Sequence, residues 1–277
     1  CDWSSDVCSS DLLHIPMAGR FVINDGQHRR AAIEMALHES PELGNETIAV
    51  VLFEDRGLER SQQMFADLNK YAVRPSTSLG ILYDHRDPIG GLSKKLAFDS
   101  DAFAGVVELE KATLSLRSRK LFTLSSIYSA NKALLRGLEE EPIEDLYTHA
   151  DKFWSLVSRQ FPEWKQVQEN RLSASQVRQD FIHTHGVILQ AIGQVGNHLL
   201  RKQLDVKQYV PKLSDIDWRR ANKRLWEGRA MHNGRLSKSS TSITLAANAI
   251  KQAVDLQLNS EEALVEQQLE SSPGRGE

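Results

Sequence analysis

A stretch of nine residues near the N-terminus has the composition of a phosphate-binding turn: Asn24-Asp25-Gly26-Gln27-His28-Arg29-Arg30-Ala31-Ala32. It follows an apolar run that is typical of a strand, Arg20–Ile23, and it opens a segment patterned as a helix, Arg29–Leu37. N–H groups at a helix start, a glycine that permits close approach and two guanidinium groups together favour an anion. We therefore predict a phosphate or nucleotide site here, formed by Asp25, Gly26, Gln27, His28, Arg29 and Arg30.

The same residues have plainer interpretations. Asp-Gly is a common hairpin turn, and two arginines are common at a solvated helix start. His28 could be a phosphate donor or a general acid/base, because an imidazole titrates near neutrality, or it could bond a backbone carbonyl in the turn. Asp25 could hold a metal ion, orient Arg29 or make an ordinary turn hydrogen bond.

A second polar group lies at a bend, in the segments Asp67–Ser76 and Ser78–Asp87. Pro75 prevents a continuous helix, and Ser76 or Thr77 can cap a new helix that runs to about Asp84. We expect Asn69 and Arg74 to join the phosphate site, with Lys70 and Arg86 as further candidates, although these charges could equally be solvated. The run Asp84-His85-Arg86-Asp87 resembles a metal or acid/base cluster, but a helix end before Pro88 explains it equally well.

The basic segment, Arg201–Lys238, carries the strongest charge signal. It holds eleven Lys/Arg against four Asp/Glu, a local charge of +7 in a chain whose net charge is −3. Such a concentration suits DNA phosphates, because each neutralised phosphate releases counterions. A solvated basic face is the alternative. A predicted helix, Trp218–Trp226, would place three of the cations on one face by their i, i+3, i+4 spacing. The predicted DNA-binding residues are Arg219, Arg220, Lys223, Arg224, Arg229, Arg235 and Lys238.

Composition excludes several function classes. Hydrophobic residues at 40% and charged residues at 26% are ordinary for a globular protein, and no apolar run approaches the ~20 residues that span a bilayer. We expect a cytoplasmic protein. The sequence contains no Walker-type loop, HExxH or GxSxG motif, so we predict neither catalytic residues nor a metal site. His183 and His185 point apart at i, i+2 on a predicted helix and do not define a metal site.

The first twelve residues, Cys1–Leu12, do not resemble natural protein. They back-translate to part of a common sequencing-adapter oligonucleotide, so we exclude them from the fold as an assembly artefact. Both cysteines, Cys1 and Cys8, fall inside this segment, so we infer neither a disulfide nor a thiol–metal site. We expect the N-terminal domain to be truncated at its start.

The order of predicted elements gives an α+β chain with two domains. Residues 13–95 form an α/β domain with a second strand at Thr47–Phe53, residues 96–258 form a mainly helical domain, and residues 259–277 form a mobile tail. A hairpin is expected within Val106–Leu116. The main predicted helices are Leu58–Asn69, Ser125–Leu138, Ile143–Gln160, Ser173–Val210, Trp218–Trp226 and Ser240–Leu258.

Three blocks of the sequence resemble known families. The string Asp25-Gly26-Gln27-His28-Arg29 is similar to the DGQHR motif, and Gly26–Ala32 resembles the arginine-rich box of ParB-type nucleotide-binding domains. Together with Asp67–Asp87 and Glu227–Lys238, it resembles the DndB family of DNA sulfur modification (phosphorothioation) over roughly Leu13–Leu258.

That resemblance implies a DNA-binding regulator that represses the modification operon and contains an N-terminally truncated ParB-like domain. The alternative is a ParB-like nucleotide-binding enzyme, an NTPase or nuclease, acting in the same system; a third is an assembly subunit without DNA contacts. The implied partners are double-stranded DNA at the operon promoter, other sulfur-modification proteins and a second copy of the chain. ATP or CTP is the implied nucleotide. No credible cysteine remains for iron–sulfur or redox control.

Overall fold

The computed structural model describes residues 22–23, 26–52, 57–70 and 75–270, with the backbone alone for 65–70 and 270. The chain divides into two compact units, Cys1–Arg74 and Pro75–Glu277. The boundary expected after residue 95 falls inside a continuous helix, Pro88–Asp99, of the second unit.

The described part of the first unit is helical. It contains helix α1, Gln27–Glu39, a 3₁₀ turn, Pro41–Asn45, and helix α2, Leu58–Lys70, which agrees with the predicted Leu58–Asn69. The predicted strands are not observed at residues 22–23 and 47–52; the other residues of both lie outside the described ranges. A strand requires a hydrogen-bonded neighbour, and the described residues of this unit provide no paired strand for either segment.

The second unit is mainly helical with two small sheets. Val107–Glu108 (β1) and Phe122–Thr123 (β2) pair in parallel, and Met231–His232 (β3) and Arg235–Leu236 (β4) form an antiparallel hairpin. A 3₁₀ helix, Val210–Asp215, follows the short helix Val206–Tyr209. The elements are α3 Thr77–Tyr83, α4 Pro88–Asp99, β1 Val107–Glu108, β2 Phe122–Thr123, α5 Leu124–Leu134, α6 Ile143–Ser158, α7 Pro162–Gln168, α8 Ala174–Asp180, α9 Gly186–Arg201, α10 Val206–Tyr209, α11 Lys223–Trp226, β3 Met231–His232, β4 Arg235–Leu236, α12 Ser240–Ala253 and α13 Ser260–Glu270.

Helix α9 is the centre of this unit and packs against α5 and α12. Two glycines allow α5 and α9 to approach closely. A Cβ atom at Gly193 would lie 2.4 Å from the Ala130 carbonyl oxygen, and one at Gly196 would lie 2.5 Å from Leu134 Cδ1. Larger residues at these positions would force the helices apart and open the core.

Side-chain caps fix the helix starts that the sequence indicated. Ser76 Oγ accepts the Leu79 N–H at 3.1 Å, which confirms Ser76 as the cap of α3. Asp87 accepts the N–H groups of Ile89 and Gly90 at the start of α4. These bonds satisfy donors that a helix start leaves without an intrahelical partner.

Three sequence-based elements need correction. The hairpin expected within Val106–Leu116 is absent from these described residues, because β1 pairs in parallel with β2 instead. The helix Ser173–Val210 is broken, because Phe181 forms an isolated bridge with Arg219 and Ile182 donates to the Trp218 carbonyl at 3.0 Å. The tail expected to be mobile contains α13, with Glu266 buried; residues 271–277 lie outside the described ranges.

The mixed, mainly helical content confirms the coarse α+β prediction. None of the helices in the described residues combines the length and apolar character needed to cross a bilayer.

Candidate nucleic-acid interface

The predicted phosphate turn begins a helix, as expected, although slightly earlier in the chain than the pattern suggested. Gly26 has φ of 104° and directly precedes α1, whose first residue is Gln27. Only glycine adopts this backbone region readily. The Arg29 guanidinium folds back over the glycine, with Nη2 3.6 Å from the position that a Cβ would take. Gly26 is half-buried and none of the α1 residues is buried, so the start of the helix is open to solvent.

The remaining residues of this turn are only partly available for contact. Arg30 Nε donates to Glu34 Oε1 at 2.7 Å, an exposed ion pair along α1. Gln27 donates to the Ile23 carbonyl at 3.4 Å, and His28 is exposed. Asp25, Arg74 and the Asn69 side chain lie outside the described residues, so their convergence on this turn stays a prediction.

The predicted helix Trp218–Trp226 is wrong except for its last turn, α11. The Trp218 and Trp226 rings stack with centroids 5.2 Å apart. Each indole donates to a backbone carbonyl, Trp218 to Leu213 at 2.7 Å and Trp226 to Asp217 at 2.9 Å. This arrangement requires the chain to turn between the two tryptophans, so Arg220 does not share a helix face with Lys223 and Arg224.

The glycine-rich stretch after α11 is a hairpin rather than an irregular loop. β3 and β4 are joined by Asn233 and Gly234, which have φ of 52° and 71°. Positive φ at both central residues is the type I′ geometry that Asn-Gly favours. The Glu227 carboxylate accepts the N–H groups of Asn233 and Gly234 and fixes the turn. The hairpin places Arg235 on an exposed edge.

Four of the predicted DNA-binding cations are exposed: Lys223, Arg224, Arg235 and Lys238. They form no ion pair with any carboxylate in the described residues. Their positive charge is therefore not locally neutralised and is available to an anionic partner.

Two of the predicted cations are paired. Arg219 Nε and Nη2 contact both oxygens of Asp217 at 2.8 and 2.9 Å, and this hydrogen bond lowers the pKa of Asp217. Arg229 is buried and forms an ion pair with Glu266, while its Nη1 lies 3.5 Å from the Leu245 carbonyl oxygen. Because the Arg229 side chain is enclosed and neutralised, we omit it from the DNA-contact surface proposed below.

Arg220 belongs to a cluster that sequence reasoning missed. Its Nη2 lies 3.0 Å from His185 Nε2, and its backbone N–H donates to the Asp180 carbonyl at 2.8 Å. His185 precedes α9, and its Nε2 is also 3.0 Å from the Arg178 carbonyl oxygen. Lys238 lies near enough for its charge to act on His185. We call Arg178, His185, Arg220 and Lys238 the basic cluster.

Arg178 links this cluster to a second basic stretch. Its guanidinium donates to the backbone carbonyls of Ser115, Leu116, Ser118 and Lys120. This loop carries Arg117 and Arg119, both exposed. The short run Arg117-Ser118-Arg119-Lys120 was visible in the sequence, but nothing there indicated that residue 178 would hold it.

The histidines near this cluster are neutral at physiological pH. Burial, and then the charges of Arg220, Arg178 and Lys238, lower the pKa of His185 to about 4. Burial, followed by the charge of His185, lowers the pKa of His183 to about 3. Glu163 lies 3.7 Å from His183 Nε2, but a neutral imidazole makes this contact no ion pair at pH 7. Trp164 Nε1 donates to His183 Nδ1 at 3.0 Å, a packing role.

The remaining candidates have structural roles. Asp84 accepts the Arg86 N–H at 2.8 Å, and Asp87 caps α4 and accepts the Tyr128 hydroxyl at 2.5 Å. Among the residues that the structure describes, no group of three or more His, Cys, Asp or Glu side chains could hold a metal ion.

Comparison with known proteins gives one match. A family model described as DndB, DNA-sulfur modification-associated, matches residues 5–257. Searches of curated proteins and of solved structures found no match.

Proposed function

Because this chain belongs to the DndB family, which is associated with DNA sulfur modification, we propose that it is a DNA-binding regulator that represses a phosphorothioation operon. The family is associated with the chemical modification of DNA, and the exposed cations of the basic segment can contact DNA phosphates. The observation that carries the proposal is the group of four exposed cations without carboxylate partners in the described residues, Lys223, Arg224, Arg235 and Lys238.

The mode of contact follows from the chemistry of these side chains. Lysine and arginine near a duplex contact phosphate oxygens, which gives affinity and orientation but little sequence information. Arg235 lies on an exposed hairpin strand and Lys223 and Arg224 on a short helix. Sequence preference for a promoter would then require additional base contacts, which Arg224 and Arg235 can make because guanidinium groups recognise guanine edges.

The test is binding of the whole protein to a duplex from the promoter of the neighbouring modification genes, measured by fluorescence anisotropy at several salt concentrations. The triple variant Lys223→Gln, Arg224→Gln and Arg235→Gln removes three of the exposed cations. If all three contact phosphates, the salt slope should become less steep by about 2.7, and affinity should fall by at least ~10-fold. A matched control changes three exposed cations outside the basic segment, Arg136, Lys152 and Arg159, to Gln.

Equal losses in both variants would mean non-specific charge attraction, and unchanged binding in the triple variant would exclude this surface. Repression is tested separately with a reporter gene under the same promoter. Expression should rise in cells that carry the triple variant and stay low with the control. Binding without repression would support a DNA-contacting assembly subunit instead.

A second candidate function concerns the Gly26 turn. We propose a ParB-like nucleotide site here as the alternative, supported by the positive φ of Gly26, the solvent-open start of α1 without acidic residues in its first turn, and the Arg29 guanidinium above the glycine. ATP and CTP hydrolysis, with and without DNA, test it. Arg29→Ala should abolish hydrolysis, and activity that survives this change would argue against the site.

A further inference from the structure

We propose that the basic cluster at the start of α9 is a binding site for one phosphate oxyanion. The site is formed by Arg220, His185 and Lys238, with Arg178 behind them. The inference rests on the proposed function, since it assigns the DNA backbone as the source of that phosphate. It concerns residues other than the three exposed cations tested above.

The first argument is preorganisation. The Arg220 backbone is fixed by its bond to the Asp180 carbonyl at 2.8 Å, and its neighbour Arg219 bridges to Phe181. Arg220 Nη2 contacts His185 Nε2 at 3.0 Å. The guanidinium therefore has a defined position before any ligand arrives, which reduces the entropy lost on binding.

The second argument is charge. Arg220 Nη2 lies 3.0 Å from His185 Nε2, and the charges of Arg220, Arg178 and Lys238 add to burial in opposing protonation of His185. Arg178 is held by carbonyl oxygens, which satisfy its hydrogen bonds without cancelling its charge. Neither Arg220 nor Lys238 has an ion pair within the ranges that the structure describes. Like charges gathered without a counter-charge cost free energy, and a bound anion would relieve that cost.

The third argument is unsatisfied polar groups. Arg220 Nε and Thr184 Oγ1 are buried atoms without a hydrogen-bond partner among the described residues, and Thr184 is only 4% exposed. Buried polar atoms in native proteins are normally paired, so each such atom calls for a partner. A phosphate oxygen bound at Arg220 would accept from its guanidinium N–H, and Thr184 is the residue directly before His185 in the chain.

The fourth argument is the helix itself. α9 has 16 residues, no side-chain cap bond from His185 and no acidic residue in its first turn. The Ile188 and Leu189 N–H groups donate to the His185 carbonyl, so the N–H groups of Gly186 and Val187 are the ones without an intrahelical acceptor, and the helix dipole adds positive potential at this end. The exposed Arg117 and Arg119, on the loop that Arg178 holds, can contact neighbouring phosphates of a duplex.

The proposal is tested on the full chain by isothermal titration with inorganic phosphate, and by anisotropy with the promoter duplex. Arg220→Gln should weaken phosphate binding by at least ~10-fold, in line with the strength of charge-assisted hydrogen bonds. Lys238→Gln, at an exposed position that folding does not need, should weaken it by a smaller factor. Arg159→Gln, an equal charge change at the end of α6, should have no effect.

The outcomes test the phosphate site and the proposed DNA binding independently. If phosphate competes with DNA and both variants weaken both ligands, the DNA backbone occupies the site. If both variants weaken phosphate binding but not DNA binding, the oxyanion site stands with a free or nucleotide phosphate as its ligand, and DNA binding must be judged from the exposed cations alone. If neither variant changes phosphate binding, or if the wild-type protein binds none, the site is overturned whatever the DNA result.

Discussion

Two regions of the second unit differ in whether their cations have carboxylate partners. In the α13 network, Arg229 pairs with Glu266 and Lys251 Nζ pairs with Glu262 at 2.6 Å, all largely buried. In the basic cluster, Arg220 and Lys238 have no carboxylate partner in the described residues. The cations of the first region stabilise the fold, and those of the second are left for a ligand. A local charge counted along the sequence therefore overstates the charge that a partner can reach.

The largest expected effect comes from removing a carboxylate from the α13 network. Glu266→Gln would leave the Arg229 guanidinium buried without a counter-charge, which should lower the free energy of unfolding by about 3 kcal/mol. Urea denaturation measures this loss. Glu261→Gln, an exposed glutamate on the same helix, should change stability by less than about 0.5 kcal/mol.

A double variant distinguishes pairing from packing. Arg229→Met with Glu266→Leu removes both charges and should be markedly more stable than Glu266→Gln alone, because no unpaired charge remains. If the single variant is as stable as the wild type, Arg229 does not depend on Glu266. The distinction between the two regions would then fail.

Lowering the pH should destabilise the fold through His185 of the basic cluster. Its folded pKa of about 4 lies below the ordinary value of 6.5, so the unfolded chain binds an extra proton between these values. The stability due to this neutral histidine is complete above about pH 6.5 and is lost as pH falls towards 4, with a slope of at most ~1.4 kcal/mol per pH unit. His183 acts in the same direction.

Urea denaturation at pH 6.5, 5.5 and 4.5 measures this slope for the wild type and for His185→Gln. The slope for the variant should be smaller by about one proton, because the imidazole that takes up a proton on unfolding has been removed; the charged groups that act on it are Arg220, Arg178 and Lys238. Identical slopes in the two proteins would show that burial and the neighbouring cations do not hold this imidazole neutral.

Introducing a carboxylate into the basic cluster should have a smaller effect on stability. Lys238→Glu should raise the free energy of unfolding by about 0.5 kcal/mol at low salt, because an exposed ion pair is worth little but like-charge repulsion is also removed. The same change should abolish phosphate binding. Denaturation at low and high salt checks the sign, and a loss of stability would contradict the description of this region as under-neutralised.

The sequence predicts helices well where one face is apolar over several turns. Ile143–Gln160 corresponds closely to α6, and Ser240–Leu258 starts where α12 starts but extends five residues beyond its end at Ala253. The 3.6-residue apolar period identifies both helices from local sequence alone. The segments predicted wrongly depend on distant partners. The break before α9 requires Arg219 to bridge to Phe181, and the turn after Trp218 requires its ring to stack on Trp226.

For the candidate site, the local excess of lysine and arginine points to Lys223, Arg224, Arg235 and Lys238, and all four are exposed in the structure. Their contact with DNA stays a prediction. Composition could not separate them from Arg229, whose burial depends on a glutamate 37 positions later in the chain. Nor could it bring together Arg178, His185 and Arg220. These residues meet because the segment before α11 is joined to the link between α8 and α9 by the Phe181–Arg219 bridge and by the bond from the Arg220 N–H to the Asp180 carbonyl.

The smallest expected effect comes from Asp217, a carboxylate that pairs with a cation of the basic segment. This half-buried acid holds Arg219 through two hydrogen bonds and accepts the Arg219 backbone N–H at 3.1 Å. Asp217→Asn keeps an oxygen for the backbone bond but removes the charge that neutralises the guanidinium. If the basic segment binds DNA, a cation released in this way should strengthen promoter binding by about 2- to 5-fold and steepen the salt slope by up to ~0.9.

The matched control for that change is Asp255→Asn, which releases Lys212 from its 2.8 Å ion pair and alters net charge equally. Lys212 lies over the Tyr209 ring, 5.6 Å from Nζ to the ring centroid, and is not among the proposed DNA contacts. A gain with Asp217→Asn that Asp255→Asn does not share would identify the neighbourhood of Arg219 as a place where DNA meets the protein. Equal gains would instead indicate an effect of net charge. Weaker promoter binding by Asp217→Asn alone would mean that DNA recognises Arg219 in the orientation that Asp217 imposes, rather than its unpaired charge. A carboxylate that holds the guanidinium fixes the direction of the N–H groups that contact a base edge.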